Sequence, residues 1–205
     1  MNAAIAASLS QERLTKYLTD THGNLDHAIA LYERNTRLCE SFYSSLQCME
    51  VCFRNTLARN MTTTYGSDWL MSPGAGTPLE RDALESIERA KGKVQKPRVR
   101  EGDVIAELSF GFWVGLLAAR YDATLWRQSL YKAFRIGGPR RRVHGRFNAL
   151  RRFRNRIAHH EPVFHLPLED VHDEIIESIG WMCEETSRWA ERHSRFPNVM
   201  HGRAV

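Results

Sequence analysis

The sequence predicts an all-α protein, an antiparallel bundle of helices joined by short connections. Two observations set this class. Apolar side chains return every three or four residues through most of the chain, as along Ala28, Leu31, Leu38, Phe42, Leu46, Met49, Phe53 and Leu57, the period of an amphipathic helix. No segment alternates apolar and polar residues for long enough to make a strand. The 205 residues, 42% of them hydrophobic, suit one substantial core, so a single domain is expected over 1–205.

The elements follow from their punctuation. Ser10 is expected to cap a short helix carrying Leu14, Tyr17 and Leu18, closed by Gly23. Asn24 caps the next, and the apolar spacing runs on to Tyr65 as one long helix or two with a bend. These are the N-terminal helices, 10–66. Two prolines and two glycines make 72–78 a loop. Helices fill 79–193. The first ends at Pro97; the second, VIAELSFGFWVGLLAARY, is apolar nearly all round and belongs in the core. A short helix over 122–134 is broken by Gly137-Gly138-Pro139, and a basic helix runs from Arg140 to His160. The last helix spans 168–193, and the tail 194–205 is expected to fray.

Composition excludes several classes. No apolar run reaches the ~18 residues of a membrane span, and the start MNAAIAASLSQERL lacks the basic flank of a signal peptide. A cytoplasmic protein that meets no membrane is expected. Cys39, Cys48, Cys52 and Cys183 lack zinc-finger spacing and are expected to be reduced and buried. Cys48 and Cys52 lie one turn apart but fall short of the four ligands of structural zinc. No metal and no cofactor is expected.

The charge of +5 favours polyanions without naming one. Its distribution says more, because residues 140–156 hold eight arginines and no acidic residue. A solvated helix face would normally mix signs. On this helix the apolar stripe Val143, Phe147, Leu150 and Ile157 contains Arg154 where a leucine is called for. An inward guanidinium must be paired or bound to an anion. Two readings stay open here, an ion pair with a glutamate of the long helix such as Glu50, and a site that binds an anion.

His159 and His160 follow within a turn and a half, and imidazole both takes and gives protons near neutral pH. Arginine to hold a phosphate and histidine to move a proton point to a phosphodiester substrate. With RNA, the 2′-hydroxyl serves as nucleophile and no metal is required. Five residues on a regular helix separate Arg154 from His159 by about 140°. Either Pro162 unwinds the last turn and swings His159 round, or a second subunit completes the site.

The string Arg154-Asn155-(x)3-His159 resembles the R-x4-6-H motif of the HEPN ribonuclease superfamily, and the wider chain is similar to its Abi-like (abortive infection) branch. The matching stretches are LTKYL, ALYERNTRLCESFYSSLQCMEVCFRN, ELSFGFWVGLL, LRRFRNRIAHHEPVF and IIESIGWMCEE, in that order. The resemblance implies a HEPN-like helical bundle with additional helices, dimeric, its two motifs facing across the interface. It implies a metal-independent endoribonuclease of phage defence or toxin systems, with a neutralising antitoxin as a possible partner. Residue by residue, Arg154 is implied to bind phosphate, Asn155 to orient the site, and His159 or His160 to act as acid or base. Arg142, Arg146, Arg151, Arg152 and Arg156 are expected to contact RNA. Glu50, Arg54 and Asn55 resemble a second, accessory block, whose plainer reading is an ion pair between Glu50 and Arg54 one turn apart. Two other functions compete with the enzyme: a HEPN fold without catalysis that binds RNA or protein, and a regulator that lays the basic helix in a DNA groove.

Overall fold

A computed structural model describes residues 1–74 and 77–202. Every regular element among them is helical. Part of the 72–78 loop, Ala75 and Gly76, and the last three residues of the tail lie outside the described residues.

The N-terminal third is built from caps and one bend. Helix α1 (Asn2–Leu9), absent from the sequence reading, precedes α2 (Gln11–Asp20). Gly23, at φ 81°, closes α2 in a conformation glycine adopts without cost. Asn24 Oδ1 accepts from the His27 N–H at 3.0 Å and starts α3 (Leu25–Ser41). α4 (Tyr43–Tyr65) follows after Phe42 alone, so the long helix is two. The buried hydroxyls of Ser41 and Ser45 donate to the Leu38 and Phe42 carbonyls at 2.6 and 3.1 Å. Such back-bonding bends helices, and here it marks the joint.

The apolar stretch expected as one central helix is broken. α5 (Asp68–Met71) and α6 (Arg81–Lys93) lead to α7 (Glu101–Glu107) and α8 (Phe110–Gly115). Leu108 is extended, and the Ser109 hydroxyl accepts from the Phe112 N–H at 3.2 Å, so a cap inside the apolar run outweighs its helical period. Residues 119–133 form short 3₁₀ and π turns in place of one helix.

α9 (Arg140–Ala158) is the basic helix. The final helix is also divided, into α10 (Leu168–Gly180) and α11 (Glu184–His193). Trp181, 3% exposed, turns inward between them, and the Ser187 hydroxyl donates to the Ile176 carbonyl at 2.8 Å to fold α11 back on α10. The tail does not fray at Ser194. It forms α12 (Phe196–Met200), with Pro197 in the first turn and Phe196 packed on Phe42 with ring centroids 4.5 Å apart.

The core centres on α4. Met49, Phe53, Leu57 and Met61 are fully buried, and Phe53 stacks on Phe147 of α9 at 4.0 Å. Each such side chain contributes about 1.5–3 kcal/mol by leaving water. A smaller cluster joins Leu14 and Tyr17 of α2 to Ala28 and Ile29 of α3, with Phe164 against it. No helix of the described residues is long and apolar enough to cross a membrane.

Candidate functional site

Toward its C-terminus α9 runs off the edge of the core. Val143, Phe147, Leu150 and Phe153 are buried, so Phe153 takes the last core position and packs on Phe42 at 4.8 Å. Arg154 keeps the direction of the stripe at the border of the core, where Ile157 beyond it is only partly buried. Its guanidinium instead spans to α4, where Nε donates to Glu50 Oε1 at 2.7 Å and Nη2 reaches Oε2 at 3.5 Å. The side chains are 39% and 22% exposed, which makes this pair part of a surface rather than a buried bridge.

The pair sits in an open cleft of about 450 Å³ between α4 and α9. Leu46, Val51 and Ile157 give it apolar walls, Glu50, Arg54 and Arg154 its charges, and Tyr43, 70% exposed, lies at its edge. The expected ion pair between Glu50 and Arg54 is not formed, because Arg154 takes the carboxylate. Among the described residues Arg54 reaches only the Ala106 carbonyl, at 3.5 Å, and its Nε is buried without a partner. Asn55 is exposed and lines a different hollow, with Arg59, Thr62 and Glu101.

The two histidines stand outside this cleft. α9 ends at Ala158; His159 follows at φ −93°, ψ 10°, and His160 is left-handed at φ 58°. The His160 N–H donates to the Ile157 carbonyl at 3.0 Å and the Glu161 N–H to the Arg156 carbonyl at 2.8 Å. This is a Schellman ending, with histidine where glycine is usual. Glu161 faces Arg156 at 3.4 Å, an ion pair where the motif usually has an apolar contact. The expected unwinding does not carry His159 round to Arg154: its near-helical backbone leaves the two about 140° apart, and among the described residues no hydrogen bond joins either exposed histidine to Arg154.

Residues that sequence reasoning passed over hold this turn in place. Asn35 of α3, 5% exposed, accepts with Oδ1 from the Val163 and Phe164 N–H groups at 2.8 and 3.2 Å. Arg13 of α2 donates to the His160 carbonyl at 2.7 Å, and Tyr17 packs on Phe164 at 5.3 Å. A polar asparagine on the apolar flank of a helix was the available signal for the first of these.

The remaining arginines divide by their partners. Arg146, with a side chain 19% exposed, donates to Glu177 at 2.7 Å, faces Glu174 at 3.7 Å and lies 5.0 Å over the Trp181 ring. Arg142 lies 5.5 Å over the same ring. Arg151 is held by Asn148 Oδ1 at 2.9 Å, and Arg156 donates to the Pro162 carbonyl at 2.9 Å. The counter-charges missing from α9 thus come from elsewhere in the chain, and the excess read from residues 140–156 is smaller in space than in sequence. Arg141 and Arg152 are exposed and have no such partner among the described residues. At about 100° per residue they share the outward face of α9 with Asn148 and His159. Asn155, half-buried, flanks that face; its carbonyl accepts from the His159 N–H at 2.9 Å.

The four cysteines are free and partly buried rather than fully so. Burial pushes the Cys39 and Cys52 thiols up to about 11, which keeps them protonated and poorly reactive. Among the described residues no group of three His, Cys, Asp or Glu is placed to hold a metal ion. Comparison of the chain with protein-family models, with curated proteins and with solved structures finds no match.

Proposed function

We propose that this protein is a metal-independent endoribonuclease of the HEPN type, in its abortive-infection branch, working as a homodimer. One observation carries the reading: the last turns of the most basic helix present an arginine to an open cleft and end on two exposed histidines. The angle of about 140° between Arg154 and His159 supports the dimer, since one chain alone does not aim both at the same atom.

In this reading Arg154 grips the non-bridging oxygens of one RNA phosphate. A histidine takes the proton from the adjacent 2′-hydroxyl as the O2′–P bond forms and the P–O5′ bond breaks. A histidine of the second copy protonates the leaving O5′. The products are a 2′,3′-cyclic phosphate and a 5′-hydroxyl, and the nucleophile comes from the substrate. Asn155 orients the site, and Arg152 with Arg141 tracks the backbone along the outer face of α9. Phage defence or a toxin role, with a neutralising partner, fits such an activity.

The experiment is sequencing of 5′-hydroxyl RNA ends after expression of wild type, Arg154→Ala and His159→Ala, with purified protein assayed in EDTA. Cleavage by wild type alone, with helical circular dichroism unchanged in the variants, is the expected result; cleavage by both variants sinks the assignment. A second reading, an RNA-binding module without catalysis, draws on the ion pair that already neutralises Arg154. It predicts RNA binding by all three proteins and cleavage by none.

A further inference from the structure

Arg154 and Arg54 both line the cleft, yet only Arg154 holds the carboxylate of Glu50. Glu50 and Arg54 lie one turn apart on α4, close enough for their side chains to meet. Among the described residues Arg54 is left with a buried, unpartnered Nε and one long contact to a carbonyl. Buried donors rarely stay unpaired, and each exception calls for a reason. The carboxylate therefore has two guanidinium partners within reach and occupies one of them.

The charges point to a class of ligand. Two guanidinium groups against one carboxylate leave the cleft a single positive charge, which a phosphodiester monoanion cancels. The carboxylate also has the planar two-oxygen geometry that a phosphate presents to arginine, so Glu50 stands where such a group would bind. With side chains 39% and 22% exposed, the pair is open enough to water to exchange.

Resting on the ribonuclease reading above, we propose that Glu50 is a displaceable internal ligand of Arg154: it holds the guanidinium while the cleft is empty, and an incoming RNA phosphodiester moves it onto Arg54. Glu50 is then a positioning residue. It keeps Arg154 aimed into the cleft and lowers the affinity for stray anions, while Arg54 receives it and makes the exchange favourable.

The test measures binding of dimethyl phosphate and of a 2′-O-methyl RNA decamer, neither of which offers a 2′-hydroxyl for cleavage, at 150 mM salt. Arginine Nε–H resonances report the first and fluorescence anisotropy the second. Glu50→Gln is expected to bind both about three- to fivefold more tightly, the range a partly exposed ion pair allows. Arg54→Gln is expected to weaken binding about threefold in wild type and much less in the Glu50→Gln background. In wild type, dimethyl phosphate shifts the Arg54 Nε–H resonance, and in Glu50→Gln it does not. Unchanged or weaker binding by Glu50→Gln overturns the proposal, as does an equal loss from Arg54→Gln in both backgrounds, which would make Arg54 a direct ligand of the phosphate. The Glu50 exchange is read with no cleavage step. A protein that shows it and cuts no RNA therefore refutes the ribonuclease reading and leaves the exchange standing.

Discussion

Replacing Asn35 should loosen the histidine turn and cost the whole protein measurable stability. Its Oδ1 accepts two backbone N–H groups, and one of them belongs to Val163, which is 0% exposed. A buried N–H left without an acceptor costs about 1–3 kcal/mol, and the half-buried Phe164 N–H, open to water, costs less. Asn35→Ala is therefore expected to lose about 2–3 kcal/mol. For a chain of this length 1 kcal/mol corresponds to ~2–4 °C, so the melting temperature should fall by roughly 5–10 °C in a calorimetric scan. Asn35→Leu separates the two possible sources of the effect, because it restores volume and supplies no acceptor. Both variants should fall together, and amide exchange at Val163 and Phe164 should quicken in both. A leucine variant within about 1 kcal/mol of wild type would show that packing, not the acceptor, holds the turn, and the reasoning would fail.

Other outcomes follow from the partners described above. Arg146→Ala should destabilise the fold, by about 1–3 kcal/mol in urea unfolding, because it leaves Glu174 and Glu177 without their cation and uncovers Trp181. Arg152→Ala should leave stability within about 0.5 kcal/mol while reducing the salt slope of RNA binding by about one. Burial holds the His172 imidazole below its usual pKa, against the opposing pull of Asp173 and Glu191. A depressed pKa means that the unfolded chain takes up the proton first, so stability is intact above the unfolded value near ~6.5 and falls as the pH drops through the lower folded value. His172→Phe, in a site bounded by Phe42 and Phe196, should remove up to about 1.4 kcal/mol per pH unit of that slope, read from melting temperatures between pH ~7 and ~5. An identical pH profile in the variant would assign the slope to other groups.

Much of the fold was legible because it is local. The Asn24 cap, the Gly23 stop and the period of α4 and α9 depend on residues within a turn or two of one another. The breaks at Leu108 and Trp181 were not legible and the one at Phe42 was legible only as one of two alternatives, since serine hydroxyls bonded to backbone interrupt runs that the apolar period would continue. α12 was missed because its anchor, Phe196, means nothing without Phe42 and His172 beneath it. In the site, the period picked out the direction of Arg154 and the sequence offered Glu50 as a partner, but where the core ends along α9 is a property of the assembled bundle. The eight arginines misled for the same reason, as their counter-charges sit on α10, on α4 and in the turn.

The Asn35 clamp joins residues 128 apart, Arg13 reaches across 147 to His160, and Arg154 across 104 to Glu50. None of these contacts exists in a nascent chain until residues 154–164 have emerged. Closing loops of that length costs conformational entropy before any contact repays it. Every fragment ending before Val163 therefore lacks the Asn35 clamp on the histidine turn, and in such a fragment the α2–α3 cluster stands without the Phe164 ring that packs on it. The histidine turn thus takes its shape from residues of α2 and α3 that lie more than a hundred positions away along the chain.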